Sequence, residues 1–287
     1  MVDGERRTIF SGLSFAIEPG EIVDLVGPSG AGKSSLLTAF ARLNPRASGD
    51  LRLDGRSADD FTPQQWRAQV AYLPQKPVLL GETVAQAIRL PFTLAIRQSA
   101  RTKQGPRRIS PTDALPDGRI RETLDNMGCA DIDLNRPPHD LSGGQAARLA
   151  LARMLCHGKP VMILDDPFSA LDRSTEKQVF EHLKELSKDR IVFLISHRLY
   201  LFPEFDQVIW MEHGTGTCST HEKLMAENKQ YAELYHAQAA EKESANDAEE
   251  MQKKECGAEN KASGEIRKNR RSSSDGNENG GERRKKQ

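Results

Sequence analysis

The chain has 287 residues with 41 Lys+Arg against 41 Asp+Glu, so its formal net charge is zero, and 37% of it is hydrophobic. That length allows one or two domains with a sizeable core, and the charge balance excludes a chain-wide electrostatic footprint for nucleic acid. The four cysteines, Cys129, Cys156, Cys218 and Cys256, form no CxxC pair and have no histidine at metal-ligand spacing, a usage that fits a reducing compartment rather than a disulfide scaffold.

The start, Met1-Val2-Asp3-Gly4-Glu5, lacks the charged and apolar regions of a signal peptide. Glu21-Ile22-Val23-Asp24-Leu25-Val26 reads as a strand running into a glycine loop, and Lys33 to Leu43 reads as the helix after it. The stretch Pro77 to Ile96 is the most apolar long one, but Glu82 and Arg89 interrupt it. It falls short of the ~18 uninterrupted apolar residues of a spanning helix, so membrane association is expected through a partner.

From Thr83 to Asp140 the propensity is mostly helical, broken by a Pro/Gly/Arg-rich stretch from Gln98 to Gly118 expected to be a surface loop. A short helix is expected over Ile120 to Met127. Ser142 then stands as a cap before a helix from Gln145 to Leu155. Two apolar strands follow, Val161 to Leu164 and Ile191 to Ile195, separated by a helix from Ser174 to Leu186. This alternation predicts an α/β fold with a mainly parallel sheet covered on both faces. From about Ala239 the chain is rich in Glu, Lys, Asn, Ser and Gly, with basic runs at Lys268 to Arg271 and Arg283 to Lys286. Such a composition cannot offset the entropy of ordering, so 239–287 is expected to be a disordered charged tail.

Three motifs carry chemistry. The first, Gly27-Pro28-Ser29-Gly30-Ala31-Gly32-Lys33-Ser34, is a complete GxxxxGKS loop between a strand and a helix. Its glycines let backbone N–H groups wrap an anion, Lys33 adds a point charge for the outer phosphates of ATP, and the Ser34 hydroxyl is placed for Mg²⁺. The second is Val161-Met162-Ile163-Leu164-Asp165-Asp166, an apolar strand ending in two acids. Asp165 is the candidate to hold Mg²⁺ and Asp166 the candidate to orient or deprotonate the attacking water. The third is Leu141-Ser142-Gly143-Gly144-Gln145.

Together with Gln75, Ser169-Ala170-Leu171-Asp172 and His197, these motifs resemble the nucleotide-binding domain of ATP-binding cassette (ABC) transporters over residues 1–238, and the pentapeptide is the most specific element. The resemblance implies a phosphate-loop NTPase of RecA-like core, with a small antiparallel β subdomain and an α-helical signature subdomain at about 76–158. It implies that ATP is bound by Gly27 to Ser35 in one chain and by Ser142, Gly143, Gly144 and Gln145 of a second, with Asp172 tying the halves together. Gln75 would touch Mg²⁺ and the water alongside Ser34 and Asp165, and would link the site to a membrane subunit. His197 would contact the γ-phosphate, acting with Asp166 and Gln75 in catalysis.

The expected function is therefore an ATPase subunit of a transporter on the cytoplasmic face of a membrane. It would be held there by an integral membrane subunit and paired with itself or another ABC subunit, with no specific nucleic acid. A soluble ABC ATPase acting on nucleic acid or ribosomes is the alternative, and the chain shows neither a long coiled-coil insertion nor a basic stripe on its folded part. Val78-Leu79-Leu80-Gly81-Glu82-Thr83-Val84 resembles stand-alone iron-export or metal-resistance ATPases. Thr220-His221-Glu222-Lys223-Leu224 with Tyr231-Ala232-Glu233-Leu234-Tyr235 resembles exporter cassettes, so both favour export.

Three positions depart from the family pattern. Asp166 stands where the family usually has glutamate, which draws the carboxylate back by about 1.5 Å. Misplacement by about 1 Å costs on the order of a hundredfold in rate, which predicts slow hydrolysis with ATP binding intact. The usual adenine-stacking aromatic before the first strand is missing, because Phe10 and Phe15 fit better as strand core residues. Ala147 replaces a usual glutamine, while Arg148 is retained.

Overall fold

A computed structural model describes residues 8–93, 110–237 and 239. The chain divides into two units, Met1–Ala232 and Glu233–Gln287. In the second unit the described residues 233–237 are helical, and the expected disordered tail lies almost wholly outside the described residues.

The first unit is built on a six-stranded sheet. Its strands are β1 (Ile22–Val26), β4 (Val70–Leu73), β5 (Val161–Asp165), β6 (Ile191–Ile195), β7 (Gln207–Glu212) and β8 (Thr215–Ser219), in spatial order β4-β5-β6-β1-β7-β8. The first five run parallel, and β8 joins antiparallel at the edge. Runs such as Ile163-Leu164 and Phe193-Leu194-Ile195 are apolar on both faces because helices cover both sides of a parallel sheet. A separate two-stranded antiparallel pair, β2 (Arg52–Leu53) and β3 (Arg56–Ser57), supplies the small second sheet.

Helix α1 (Lys33–Phe40) packs Leu36 and Leu37 against Val23, Leu25, Ile163 and Ile195, forming the core beneath the site. The sequence predicted this helix to reach Leu43. It stops three residues earlier because Arg42 takes a left-handed φ of 52° and sends its guanidinium to the carbonyls of Ala58 and Phe61. The Trp66 indole N–H takes the Phe40 carbonyl at 2.8 Å, satisfying one of the orphan acceptors of the last turn.

Between β4 and β5 lies the helical lobe, which comprises α3 (Val84–Thr93), α4 (Pro111–Ala114), α5 (Asp117–Asn126) and α6 (Gly143–Leu155). Helix α2 (Pro63–Gln69) precedes β4, α7 (Arg173–Ser187) follows β5, and α8 (His221–Glu227) follows β8. The loop expected over 98–118 is corrected at its end: Ser110 caps α4 through the Asp113 amide, and α5 already begins at Asp117. The rest of that stretch, to residue 109, lies outside the described residues. Helix α7 starts and ends one residue beyond its predicted limits, and α5 starts three residues before its predicted start.

Phe10 and Phe15 also differ from expectation. Residues 8–18 form no strand, and both rings are half-buried against the core from an irregular segment. The Phe15 ring meets Phe40 edge-on at 5.8 Å.

Candidate functional site

Parallel strands all present their carboxyl ends at one edge, which is where open α/β sheets bind ligands. Here that edge collects the phosphate loop after β1, Gln75 after β4, Asp165 and Asp166 at the end of β5, and His197 after β6. The sequence reading identified each of these positions separately, and the strand order accounts for their meeting.

The loop itself is shaped by glycine. Gly27 sits at φ 154°, and a Cβ there would come within 2.2 Å of the Met211 carbonyl oxygen of β7, so no larger residue fits between the first strand and its neighbour. At the far end of the loop Gly32 occupies the N-cap of α1, and no side chain caps the helix. The first-turn amides are thus left for an anion, with the positive end of the helix behind them. Ile9 and Phe10 lie against Gly32, which puts the segment before β1 beside the loop.

Lys33 reaches back over the loop, where its Nζ donates to the Gly27 carbonyl at 2.7 Å and the Pro28 carbonyl at 3.1 Å. Burial pushes its pKa down, while the charges of Asp24 and Asp165 pull it up. An ammonium held on weak carbonyl acceptors can exchange them for phosphate oxygens. Pro28, Ser29 and Gly30 are exposed at the mouth, and Ala31 and Ser35 are half-buried.

Two of the predicted metal-binding groups meet directly. The Ser34 hydroxyl donates to Asp165 Oδ1 at 3.2 Å, and Asp165 is buried at the end of β5 opposite Ile195. Its other oxygen, Oδ2, accepts from the Tyr72 hydroxyl at 3.2 Å. Tyr72 is pushed up to about 12, first by burial and then by Asp165, so it remains a donor across the working pH range. A hydroxyl and a carboxylate side by side at a phosphate loop form the oxygen donor set that suits Mg²⁺. Gln75 lies elsewhere than directly on Asp165: its Nε2 donates to Asp166 Oδ2 at 3.2 Å, joining the β4 end to the candidate catalytic acid. Asp166 holds a φ of 52°, a conformation that Asp tolerates better than most residues.

The pentapeptide sits on a different element. Ser142 caps α6, which begins at Gly143 rather than at Gln145 as predicted. The Ser142 hydroxyl accepts from the Gln145 amide at 3.2 Å, and Gln145 Oε1 accepts from the Ser142 amide at 3.1 Å, completing a capping box. Gln145 Nε2 also donates to Asp131 Oδ2 at 2.8 Å. A serine hydroxyl that accepts at the cap still has its own proton to donate. Ser142 and Gly143 are exposed, and among the described residues no hydrogen bond joins them to the phosphate loop of the same chain. Gly144 is placed by close approach, since a Cβ on it would lie 2.9 Å from the Ala170 carbonyl oxygen.

Asp172 is exposed and caps α7. Its Oδ1 accepts from the Ser174 and Thr175 amides at 3.1 and 3.0 Å, and its Oδ2 accepts from the Thr175 hydroxyl at 2.6 Å. The Thr175 hydroxyl, then the Thr175 amide, hold its pKa below the ordinary carboxylate value. His197 is exposed just past β6, and the residues on either side of it are anchored. The Ser196 amide donates to Asp24 Oδ1 at 2.8 Å. Arg198 pairs with the buried Glu176 of α7 and donates to the Phe168 carbonyl at 3.1 Å. The Tyr200 hydroxyl meets the second Glu176 oxygen at 2.8 Å.

Asp24, Tyr72, Glu176 and Arg198 were not singled out from the sequence. For Asp24 a signal existed, a lone acid inside an apolar strand; Glu176 and Arg198 look like ordinary surface residues until the fold brings them together.

Comparison with known proteins gives a consistent set of similarities. The family model described as ABC transporter matches residues 10–169. The ATP-dependent lipid A-core flippase of Cupriavidus pinatubonensis is 33% identical over 236 residues, covering 82% of this chain and 39% of the flippase. The proteins of the same name from Saccharophagus degradans and Dechloromonas aromatica are each 34% identical, over 232 and 244 residues, covering 79% and 83% of this chain and 37% and 39% of theirs. The chain therefore spans about two-fifths of the length of these relatives. Among solved structures, a bacterial Atm1-family ABC exporter with ATP bound superposes with a TM-score of 0.68 at 26% identity, over 83% of this chain and 40% of the exporter.

Proposed function

Because this chain belongs to the ABC transporter family, we propose that it is the ATP-binding and ATP-hydrolysing component of an exporter, and that it drives a membrane-spanning component by ATP-dependent pairing of two cassettes. The observation that carries this reading is the Ser34–Asp165 contact at 3.2 Å, which brings the phosphate loop and the acidic strand into one site. Export is favoured by the relatives, three of them lipid A-core flippases and one an Atm1-family exporter. No helix among the described residues is long and apolar enough to cross a membrane.

In this reading Gly27 to Ser35 cradle the phosphates, Lys33 transfers its hydrogen bonds to their outer oxygens, and Ser34 and Asp165 hold Mg²⁺. When bound, Mg²⁺ neutralises charge on the outer phosphates. Asp166, steadied by the Gln75 amide, orients the attacking water, and His197 reaches the outermost phosphate from the end of β6. Ser142 to Gln145 face a second cassette: the exposed cap hydroxyl donates to the phosphate bound there, with the N-terminus of α6 behind it. Asp172 holds the start of α7 next to that junction. Chain 1–238 forms this cassette, with 76–158 as its helical lobe.

The membrane-spanning component has a surface to meet. Val78 and Leu80 are exposed hydrophobics, 66% and 59% accessible, three and five residues beyond Gln75. Leu80 borders a cleft of about 1080 Å³ that is also lined by Thr83, Arg89, Asp117, Asp133 and Asn135. Arg153 of α6 donates to the Val78 carbonyl at 3.0 Å, so this stretch is tied to the helix that carries Ser142.

The test is co-purification with a multi-span membrane protein in detergent, followed by ATPase assays with and without it. Stimulation by the membrane protein, lost in Leu80→Asp, supports the reading. Activity indifferent to it but stimulated by RNA sinks it in favour of a soluble ATPase.

A further inference from the structure

Asp24 stands in the middle of β1, within a strand of five fully buried residues, and is itself 0% exposed. Removing a carboxylate from water is costly unless its oxygens are met by donors. Asp24 is met on one side only: Oδ1 accepts the Ser196 amide at 2.8 Å, while Oδ2 is buried without a hydrogen-bond donor. Desolvation pushes its carboxyl well above the usual range, against the weaker pulls of the Ser196 and Leu25 amides and of Lys33. An apolar side chain would satisfy this strand at no such cost, so packing does not account for an acid here.

The hydrogen bond from the Ser196 amide indicates what it does. The parallel ladder pairs Asp24 with Leu194 and the described β6 strand ends at Ile195, so the Ser196 amide lies just beyond the strand. The Asp24 carboxylate catches that amide. The Ser196 hydroxyl in turn accepts the Arg198 amide at 3.0 Å, and Arg198 is fastened to Glu176 and to the Phe168 carbonyl. His197 is thus an exposed side chain between two residues held from below.

We propose that Asp24 is a positioning residue for the reaction, fixing the turn that presents His197 to the outer phosphate through its hydrogen bond to the Ser196 amide. The proposal rests on the role given to His197 above. Asn at this position keeps an acceptor oxygen for the Ser196 amide, whereas Leu has the same branched outline without one.

The experiment measures ATP affinity and steady-state ATPase on the full chain assembled with its membrane-spanning component, for Asp24→Leu, Asp24→Asn, His197→Ala and the double variant Asp24→Leu/His197→Ala. Asp24→Leu is expected to lower kcat about tenfold with KM for ATP changed less than about twofold. Asp24→Asn is expected to recover most of that loss. The double variant is expected to be no slower than His197→Ala alone, because the two changes act through one group. Losses that multiply, or an Asn variant as slow as the Leu variant, overturn the proposal while leaving His197 in place. A normal kcat in His197→Ala overturns the role of His197 and this proposal with it. Should Asp24→Leu not fold, Asp24→Ala takes its place with the same expectations, thermal melting confirming that it is folded.

Discussion

Gln75 Nε2 lies 3.2 Å from Asp166 Oδ2, so a residue just past the edge strand β4 is bonded to the acid proposed to act on water. The contact spans two strands that reach the edge from distant parts of the chain, and it holds a carboxylate whose side chain is one methylene shorter than the family's usual glutamate. Asp166→Glu is expected to raise kcat by tenfold or more, on the scale of the ~1 Å misplacement effect, with ATP affinity unchanged. The backbone there is left-handed, φ 52°, and Glu suits that region less well than Asp. The same variant is therefore expected to melt a few degrees lower, for a strain of about 1 kcal/mol. An ATPase assay in the assembled transporter decides the first point; an unchanged kcat refutes the idea that Asp166 slows the enzyme.

Ser142 separates two roles that a simple deletion would confuse. Its hydroxyl accepts at the helix cap and has a proton left for a partner's phosphate. Ser142→Ala is expected to lose both, destabilising α6 by about 1 kcal/mol and abolishing ATP-dependent pairing. Ser142→Asp caps the helix as well as serine but directs a negative charge at the phosphate. It is expected to melt normally and still fail to pair with Mg-ATP in size-exclusion chromatography. Normal pairing by Ser142→Asp would show that the pentapeptide does not face a nucleotide.

Asp172 predicts a dependence on pH whose sign follows from its hydrogen bonds. The Thr175 hydroxyl and amide lower its folded pKa below the ordinary 3.8. Between those two values the unfolded chain binds more protons, so stability rises with pH there. The contribution is full above 3.8 and is lost as pH falls through the lowered folded value. In melts from about pH 6 to about pH 3, the advantage of the native chain over Asp172→Asn is expected to shrink toward the acid end. An advantage that grows in acid contradicts the assignment.

Tyr72 orients Asp165 through a hydroxyl that does not ionise at working pH. Tyr72→Phe leaves Asp165 Oδ2 without that donor while keeping the ring. The variant is expected to need severalfold more Mg²⁺ for half-maximal ATPase, with little change in kcat at saturating Mg²⁺, in line with losses seen when groups behind a metal ligand are removed. A magnesium titration checks it; identical half-saturation in the two proteins counts against Asp165 as the metal carboxylate.

Much of this site was legible before any coordinates. The loop Gly27 to Ser34, the acids at Asp165 and Asp166, and the serine at Ser142 are local patterns, each recognisable from its own short stretch. Helix boundaries were less so: α1 stops early because Arg42 turns left-handed to reach the Ala58 and Phe61 carbonyls and Trp66 takes the Phe40 carbonyl, and Ala58, Phe61 and Trp66 all lie beyond Lys33 to Leu43. Strands β4, β7 and β8 escaped because short apolar runs such as Val70–Leu73 and the centre of Gln207–Glu212 are ambiguous between helix and strand, and Thr215–Ser219 has little apolar signal at all. Phe10 and Phe15 are apolar enough for a strand but lack ladder partners. The network of Asp24, Ser196, Arg198 and Glu176 joins β1, the turn after β6 and α7, so only the fold reveals it.

Strand order has a last consequence, for how the protein is made. β1 is synthesised first, yet both its neighbours in the sheet, β6 and β7, come near the end of the cassette, and the Asp24–Ser196 bond closes over 172 residues. A nascent chain that has emerged only as far as β5 carries its complete phosphate loop on a strand with neither edge paired. Nucleotide, which stabilises only the form that binds it, therefore has nothing to stabilise until Ile191 to Glu212 leave the ribosome. Translation must run almost to the end of the cassette before ATP can assist its folding, and a chain truncated within α7 would remain a client of chaperones.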